Sequence, residues 1–394
     1  MSSKLKEIKI EILKCARCGT CRSICPTLND AWGDDGPTWE TTGPRGRVLM
    51  SYGLQQNKLL PSKKMVQDIF NCLICNRCVE ICPSGVDTTK IIQATRKEIL
   101  DQNLAPIPLT KLHEILENSK NIYGLDQEDR LLWTEMTVED IIQDKILKKA
   151  EIAFFVGCQS SYRGSLFGIP EAIILLLDSL NIDFTILGEE EWCCGSPFYL
   201  VGDDSKIAKE FAIHNIEKML ELGVKKVIFT CPGCYRVWKQ VYPKLYGKEL
   251  PFELYHSTEF ITKLINEDKI IFNQEIKKRV AYQDPCELGR HCKIYEEPRT
   301  IIKKIPGVTF KELKENRQDS LCCGGGGLVK VTDTEISLGI GTKKLKDFMR
   351  NDIDIILTCC PACYQNLIDA LELSGEKIEI LDIHEFLIKA LSLR

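Results

Sequence analysis

The 394-residue chain has no basic excess: 52 Lys and Arg stand against 56 Asp and Glu. The cations are scattered rather than blocked, which argues against neutralising phosphates along a nucleic acid. Long apolar runs are also missing. The longest, Ala172–Leu177, falls far short of the roughly 20 residues a membrane span needs, and residues 1–14 lack the apolar core of a secretory signal. No GxGxxG joins a strand to a helix, so nothing predicts a dinucleotide fold. These absences point to a cytoplasmic chain of two or three compact domains with no membrane span of its own.

What the chain has in quantity is sulfur. Its 20 cysteines fall in short-spaced sets, and in a reducing compartment that argues for metal ligation rather than a disulfide framework. Cys15, Cys18, Cys21 and Cys25 precede Pro26, and the same CxxCxxCxxxCP spacing returns at Cys72, Cys75, Cys78, Cys82 and Pro83. In this two-cluster ferredoxin pattern three thiolates of one loop and the fourth of the other share a cubane. The implied ligand sets are Cys15, Cys18, Cys21, Cys82 and Cys72, Cys75, Cys78, Cys25. Zinc knuckles would leave the doubled spacing and both prolines unexplained. Residues 34–48 lie between the runs and contain Gly43-Pro44-Arg45-Gly46-Arg47. Backbone N–H groups and a guanidinium there would stabilise an anionic cluster; a surface turn with solvated arginines is the alternative.

Ten of the twelve remaining cysteines form two matching sets: Cys158, Cys193, Cys194, Cys231, Cys234 and Cys286, Cys322, Cys323, Cys360, Cys363. The shift between partners is 128 at the first position and 129 at the other four, which marks an internal duplication. Strand-like runs at 152–156, 227–230, 280–283 and 355–358 feed Cys158, Cys231, Cys286 and Cys360. Ligands thus gather beyond strand carboxyl ends, where open α/β sheets carry their sites. Cys231-Pro232-Gly233-Cys234 and Cys360-Pro361-Ala362-Cys363 each open a helix, whose positive dipole end favours thiolate. Cys193-Cys194-Gly195 and Cys322-Cys323-Gly324 place adjacent thiols on sharp turns that need glycine. Five sulfurs exceed what tetrahedral zinc uses, so a multi-iron cluster fits better, with zinc or an empty site in one half as the alternative.

The expected fold class is α+β: a helical two-cluster ferredoxin domain over 1–98, a polar helical connector over 99–149, and a duplicated α/β cysteine-rich domain over 150–270 and 278–394. Interdigitating sheets would bring the two five-cysteine sites to one crevice. Helical patterns at 63–71, 88–100, 207–222 and 335–349 are expected to pack around the loops and sheets. Cys292 and Cys359 are left over, as bystanders or redox thiols. His256 and His291 are candidate proton donors or scaffold. Arg236 and Arg290 could neutralise an anionic substrate such as a sulfonate or phosphate, or serve in scaffold salt bridges.

The doubled ferredoxin run, the GPRGR segment, FFVGC ending at Cys158, CCGSP at 193–197, CPGCYR at 231–236, DPCELGRH at 284–291 and CCGGGG at 322–327 together resemble one cysteine-rich family. It contains the D subunit of heterodisulfide reductase, the fused C and B subunits of the soluble enzyme, and glycolate oxidase iron-sulfur subunits. The similarity spans essentially the whole chain. It implies two cubane [4Fe-4S] clusters in the ferredoxin domain and a noncubane [4Fe-4S] cluster on each five-cysteine set. It also implies that the paired clusters face a disulfide such as that of coenzyme M and coenzyme B. Glu287 departs from the family pattern, in which His commonly follows this Cys. The resemblance implies a partner that exchanges electrons: a flavoprotein, a membrane cytochrome, or a hydrogenase or formate dehydrogenase assembly. A membrane partner would hold the chain at the inner membrane face. Rival readings are the relay component of an FAD-linked glycolate or lactate oxidase and a zinc-bearing assembly scaffold.

Overall fold

The computed structural model describes residues 3–30, 39–135 and 137–393; positions 34–38 of the segment before GPRGR therefore lie outside the described residues. The N-terminal part is helical. Pro44–Gln55, Lys63–Phe70 and Thr88–Asp101 pack around Val48, Leu54, Ile69, Phe70, Ile91, Ile92 and Ile99. Local capping sets two of these starts: Ser62 accepts from the Met65 N–H at 3.3 Å and Asp87 from the Lys90 N–H at 3.1 Å.

Seven short strands follow among the described residues: β1 (Ile152–Phe155), β2 (Lys226–Phe229), β3 (Glu253–His256), β4 (Arg279–Tyr282), β5 (Thr309–Phe310), β6 (Ile355–Thr358) and β7 (Glu379–Asp382). They form two separate parallel sheets, β1-β2-β3 and β5-β4-β6-β7, rather than the interdigitating pair expected from the duplication. Each closes its own ladder, because every strand is only two to four residues long and its in-half neighbours satisfy it. The repeat is nevertheless complete. Thr185 bridges Ala153 in parallel, at the edge that β5 occupies in the second sheet, so both sheets run in the same order. Because all strands are parallel, their carboxyl ends share an edge, and the segments after β1, β2, β4 and β6 bring Cys158, Cys231, Cys286 and Cys360 to it.

The polar segment over 99–149 does not behave as a spacer. Leu112, Leu116, Trp133, Val138 and Ile142 are buried in the core that also holds β1 and β2. Arg96, fully buried on the helix Thr88–Asp101, joins three parts of the chain. Its guanidinium donates to the carbonyls of Phe70 (2.9 Å), Cys72 (2.6 Å), Leu200 (3.1 Å) and Gly327 (3.0 Å), with a longer bond to Ile69. No described helix is long and apolar enough to cross a membrane.

Candidate functional site

Two cavities lie side by side in the N-terminal part. One is lined by Cys25, Cys72, Cys75 and Cys78 with Arg47; the other by Cys15, Cys18, Cys21 and Cys82 with Arg45, and Cys78 borders this second one as well. The crossed groupings expected from the CxxCxxCxxxCP spacing match these linings except at Cys78, which borders both. Pro44 lines both, so the amino end of the helix Pro44–Gln55 is wedged between them. GPRGR is therefore not a solvated turn. Arg47 is buried, donates to the Asp68 carbonyl at 2.7 Å and approaches the Cys25 sulfur at 4.0 Å. Arg45 pairs with Glu40 at 2.7 Å. Gly46 is required because any Cβ would run into the Glu40 carbonyl. Burial pushes the Cys25 thiol up, and Arg47 opposes that rise. Burial, with Cys25 and Cys15 nearby, likewise pushes Cys21 up to about 11.

Each five-cysteine set closes into one chain of thiol contacts, and the two chains have the same order. In the first half Cys158 meets Cys193, Cys193 meets Cys194, Cys194 meets Cys234, and Cys234 meets Cys231. In the second Cys286 meets Cys322, Cys322 meets Cys323, Cys323 meets Cys363 at 3.1 Å, and Cys363 meets Cys360. Gly195 and Gly324 take φ of 79° and 87°, the left-handed turns that adjacent thiols need. The N–H groups of Gly195 and Gly324 point at Cys193 and Cys322, at 3.4 and 3.5 Å. Cys231 and Cys360 cap the helices Pro232–Gln240 and Pro361–Ser374.

Two links join these sites. The Cys75 thiol hydrogen-bonds the Cys322 thiol, so the inner ferredoxin-type cavity abuts the second five-cysteine set. The charge of Cys231 acts on Cys360, the first cysteine of the other half's CPxC turn. Of the cysteines only Cys18 is exposed.

The donor chemistry fits iron-sulfur clusters. Hydrogen bonds from neighbouring thiols bring Cys75 and Cys194 down to about 6, while the hydrogen bond to Cys193, together with burial, drives Cys158 up. Five buried thiols cannot all ionise together unless a cationic centre sits among them. Among the described residues no group of three or more His, Cys, Asp or Glu side chains is arranged to hold a metal ion.

Two arginines serve the five-cysteine sets. Arg130 lies in the segment expected to be a connector. It donates to Glu191 at 2.7 Å and approaches the Cys158 sulfur at 3.8 Å, while Glu191 accepts from the Val156 and Gly157 N–H groups. No periodicity or motif marks Arg130; the FFVGC turn could have been searched for a buried cation only once folded. Arg290 donates to the carbonyls of Cys75 (2.6 Å) and Ser320 (2.8 Å), and its charge acts on Cys75, Cys286 and Cys322. Its Nη2 is buried without a hydrogen-bond partner.

Arg236 bonds Glu287 at 2.7 Å and the Tyr199 hydroxyl at 2.8 Å. His256 and His291 are both buried or half-buried and bonded to backbone carbonyls. His256 is fully buried, which holds its pKa down at about 3; His291, mostly through burial, falls to about 4 and bonds the Ile74 carbonyl at 2.7 Å. Cys359 is a buried bystander 2.9 Å from the Tyr282 hydroxyl, and burial pushes the Cys292 thiol up to about 12.

Comparison with known proteins agrees with this geometry. A cysteine-rich domain family matches residues 152–238 and 280–368, and a 4Fe-4S dicluster domain family matches residues 11–86. The D subunit of the dihydromethanophenazine:CoB--CoM heterodisulfide reductase of Methanosarcina barkeri is 35% identical over 98% of this chain and 95% of its own length. EtfAB:quinone oxidoreductase of Syntrophomonas wolfei is 26% identical over 97% of this chain and 58% of its own length. The B subunit of the fumarate reductase (CoM/CoB) of Methanothermobacter marburgensis is 26% identical, over 96% and 72%. The protein is thus an iron-sulfur oxidoreductase subunit that works with other subunits. With its full-length match, its 4Fe-4S dicluster domain and its two cysteine-rich domains, the chain belongs to the family of heterodisulfide reductase D subunits.

Proposed function

We propose that this chain is the disulfide-reducing subunit of a heterodisulfide-reductase-type assembly, acting on a small disulfide such as CoM-S-S-CoB. Cys15, Cys18, Cys21 and Cys82 hold one cubane [4Fe-4S] cluster, and Cys25, Cys72, Cys75 and Cys78 the other. Cys158, Cys193, Cys194, Cys231 and Cys234 hold one noncubane [4Fe-4S] cluster; Cys286, Cys322, Cys323, Cys360 and Cys363 hold the second. When bound, these groups supply one-electron transfer in series, and the facing pair supplies the two electrons that a disulfide requires.

The observation that carries this reading is the continuous line of sulfur: Cys18 at the surface, Cys75 against Cys322, and Cys360 within electrostatic reach of Cys231. The remaining residues prepare that line. Arg45 and Arg47 border the ferredoxin-type cavities, Arg290 stands between Cys75 and the second set, and Arg130 backs the first set. These cations favour thiolate over thiol, and the buried ones, Arg47, Arg130 and Arg290, also keep water out of the sites. Electrons come from a partner subunit: a flavoprotein, a membrane cytochrome, or a hydrogenase or formate dehydrogenase assembly. We place the assembly in the cytoplasm, at the inner membrane face where that partner is membrane-bound.

Anaerobic reconstitution followed by iron and zinc analysis tests the cluster count. About 16 iron per chain is expected for four [4Fe-4S] clusters; about 8 iron with stoichiometric zinc would place zinc in the five-cysteine sets. Adding a mixed disulfide to the reduced protein should produce a new paramagnetic signal from a bound thiolate. Silence in that experiment, together with rapid reoxidation by a quinone, would instead make the chain a relay of an FAD-linked 2-hydroxyacid oxidase.

A further inference from the structure

Behind Cys231 and Cys360 the two halves meet along a buried polar seam. His256 ends β3 and Asp382 ends β7; each caps the helix that follows it, Ser257–Asn266 or Ile383–Leu391, in a capping box completed by Glu259 or Glu385. They are equivalent positions of the duplicated fold. Ser257 Oγ lies 2.6 Å from His384 Nε2, and His384 Nδ1 bonds Asp382 Oδ1. All four residues are at most 1% exposed, so this Ser-His-Asp arrangement meets no substrate and instead fastens one half to the other.

His256 does more than cap. The Thr258 N–H donates to its Nδ1 at 3.3 Å, which places the ring proton on Nε2. That Nε2–H faces the Thr230 carbonyl of the first half at 3.3 Å and also bonds the Cys359 carbonyl of the second. These two carbonyls belong to the residues immediately before Cys231 and Cys360. Two buried carbonyl oxygens brought together repel and lack a donor; one N–H between them satisfies both. A planar ring anchored at its far nitrogen holds that N–H at a fixed place.

We propose that His256 is a positioning residue whose Nε2–H, shared between the Thr230 and Cys359 carbonyls, sets the separation of Cys231 and Cys360 and thereby of the two five-cysteine cluster sites. The inference rests on the paired-cluster reading above and adds what fixes the pair's spacing. A disulfide must reach both centres at once, so a displacement of about 1 Å is costly.

The test uses the full chain, reconstituted anaerobically, with two substitutions. His256→Asn keeps an acceptor where Nδ1 caps the helix but is too short to bridge the carbonyls; His256→Gln places an amide N–H near the Nε2 position. Both should retain wild-type iron content and cubane signals. In H256N the magnetic interaction between the two five-cysteine centres should weaken and turnover of a mixed disulfide should fall on the order of 10-fold. H256Q should restore both towards wild type. Wild-type magnetic interaction in H256N would overturn the proposal, as would equal losses of iron in both variants, which would reduce the residue to a stabiliser of the fold. A wild-type protein with no interaction between these centres would overturn the paired-cluster reading first, and is distinguishable because no substitution is involved.

Discussion

Arg236 of the first cysteine-rich half and Glu287 of the second form an ion pair of 2.7 Å across the boundary between the halves, with side chains only 4% and 18% exposed. Burial by itself would raise the Glu287 carboxyl, but Arg236, His291 and Arg290 outweigh it and hold it below the usual range. Glu287 thus answers a buried cation. Removing one partner leaves a buried charge uncompensated. E287Q should therefore cost about 3 kcal/mol in denaturant unfolding, while E287Q combined with R236M should recover most of that loss. Simple additivity of the two single losses would show that the pair is uncoupled.

Cys194 and Cys323 sit at the centre of their thiol chains. Replacing either with Ala should abolish disulfide turnover and remove about four iron per chain. The ferredoxin-type paramagnetic signals should persist, because those ligands lie in separate cavities. Loss of all signals together would contradict independent sites.

Gly324 is the most constrained turn of the second set. At φ 87° a Cβ would run into the Ser337 carbonyl and lie 2.9 Å from the Asn366 amide nitrogen. Gly324→Ala should cost at least about 2 kcal/mol and deplete iron from the second set. Gly223, at φ 72° with nothing within 4 Å, provides the control. Its Ala variant should lose only about 1 kcal/mol, for the left-handed backbone. Denaturant midpoints and iron content of the two variants check the comparison.

His256 should contribute to acid sensitivity with a defined sign. Burial, with His384 beside it, depresses its folded pKa to about 3, below the usual imidazole value. The unfolded chain therefore binds the extra proton first. The stabilisation by neutral His256 is complete above about pH 6.5 and is lost as pH falls from there towards 3. Between pH 6 and 4 the wild type should lose about 1.4 kcal/mol per pH unit more than H256N. Parallel denaturant titrations of the two proteins measure the difference; identical slopes would mean that His256 charges freely in the folded chain.

Arg96→Leu should uncouple the ferredoxin-type module from the rest. The guanidinium bonds carbonyls on the helical module, on Leu200 of the first half and on Gly327 of the second. Loss of such charge-assisted bonds in a buried site should cost at least about 3 kcal/mol. Unfolding should then separate into two transitions, followed by limited proteolysis in denaturant.

Much of the site is legible in the order of residues. The ferredoxin-type cysteines gather around two neighbouring cavities, with Cys25 and Cys82 each crossing to the other run's loop and Cys78 bordering both, since three thiols on one tight loop have little choice of neighbour. Each duplicated thiol set converges because two of its cysteines follow neighbouring strands of one parallel sheet, β1 and β2 or β4 and β6. Helix boundaries fall within two residues of the patterns at 63–71, 88–100, 207–222 and 335–349. The arginines were not readable in this way. Arg45 and Arg47 leave two interpretations open in the sequence, Arg130 carries no signal there, and only the fold pairs Arg236 with Glu287 and sets Arg290 beside Cys75.

Spacing along the chain dictated the number, grouping and chemistry of the thiols, because ligands on one loop or at one strand end are placed by local backbone geometry. Packing alone decided which sites touch. The Cys75–Cys322 contact, the ties made by Arg96 and the seam at His256 join residues separated by some 100 positions or more. No local rule links such positions; burying the three modules against one another brings them together, and buried polar groups then take whatever partners the closed interface offers.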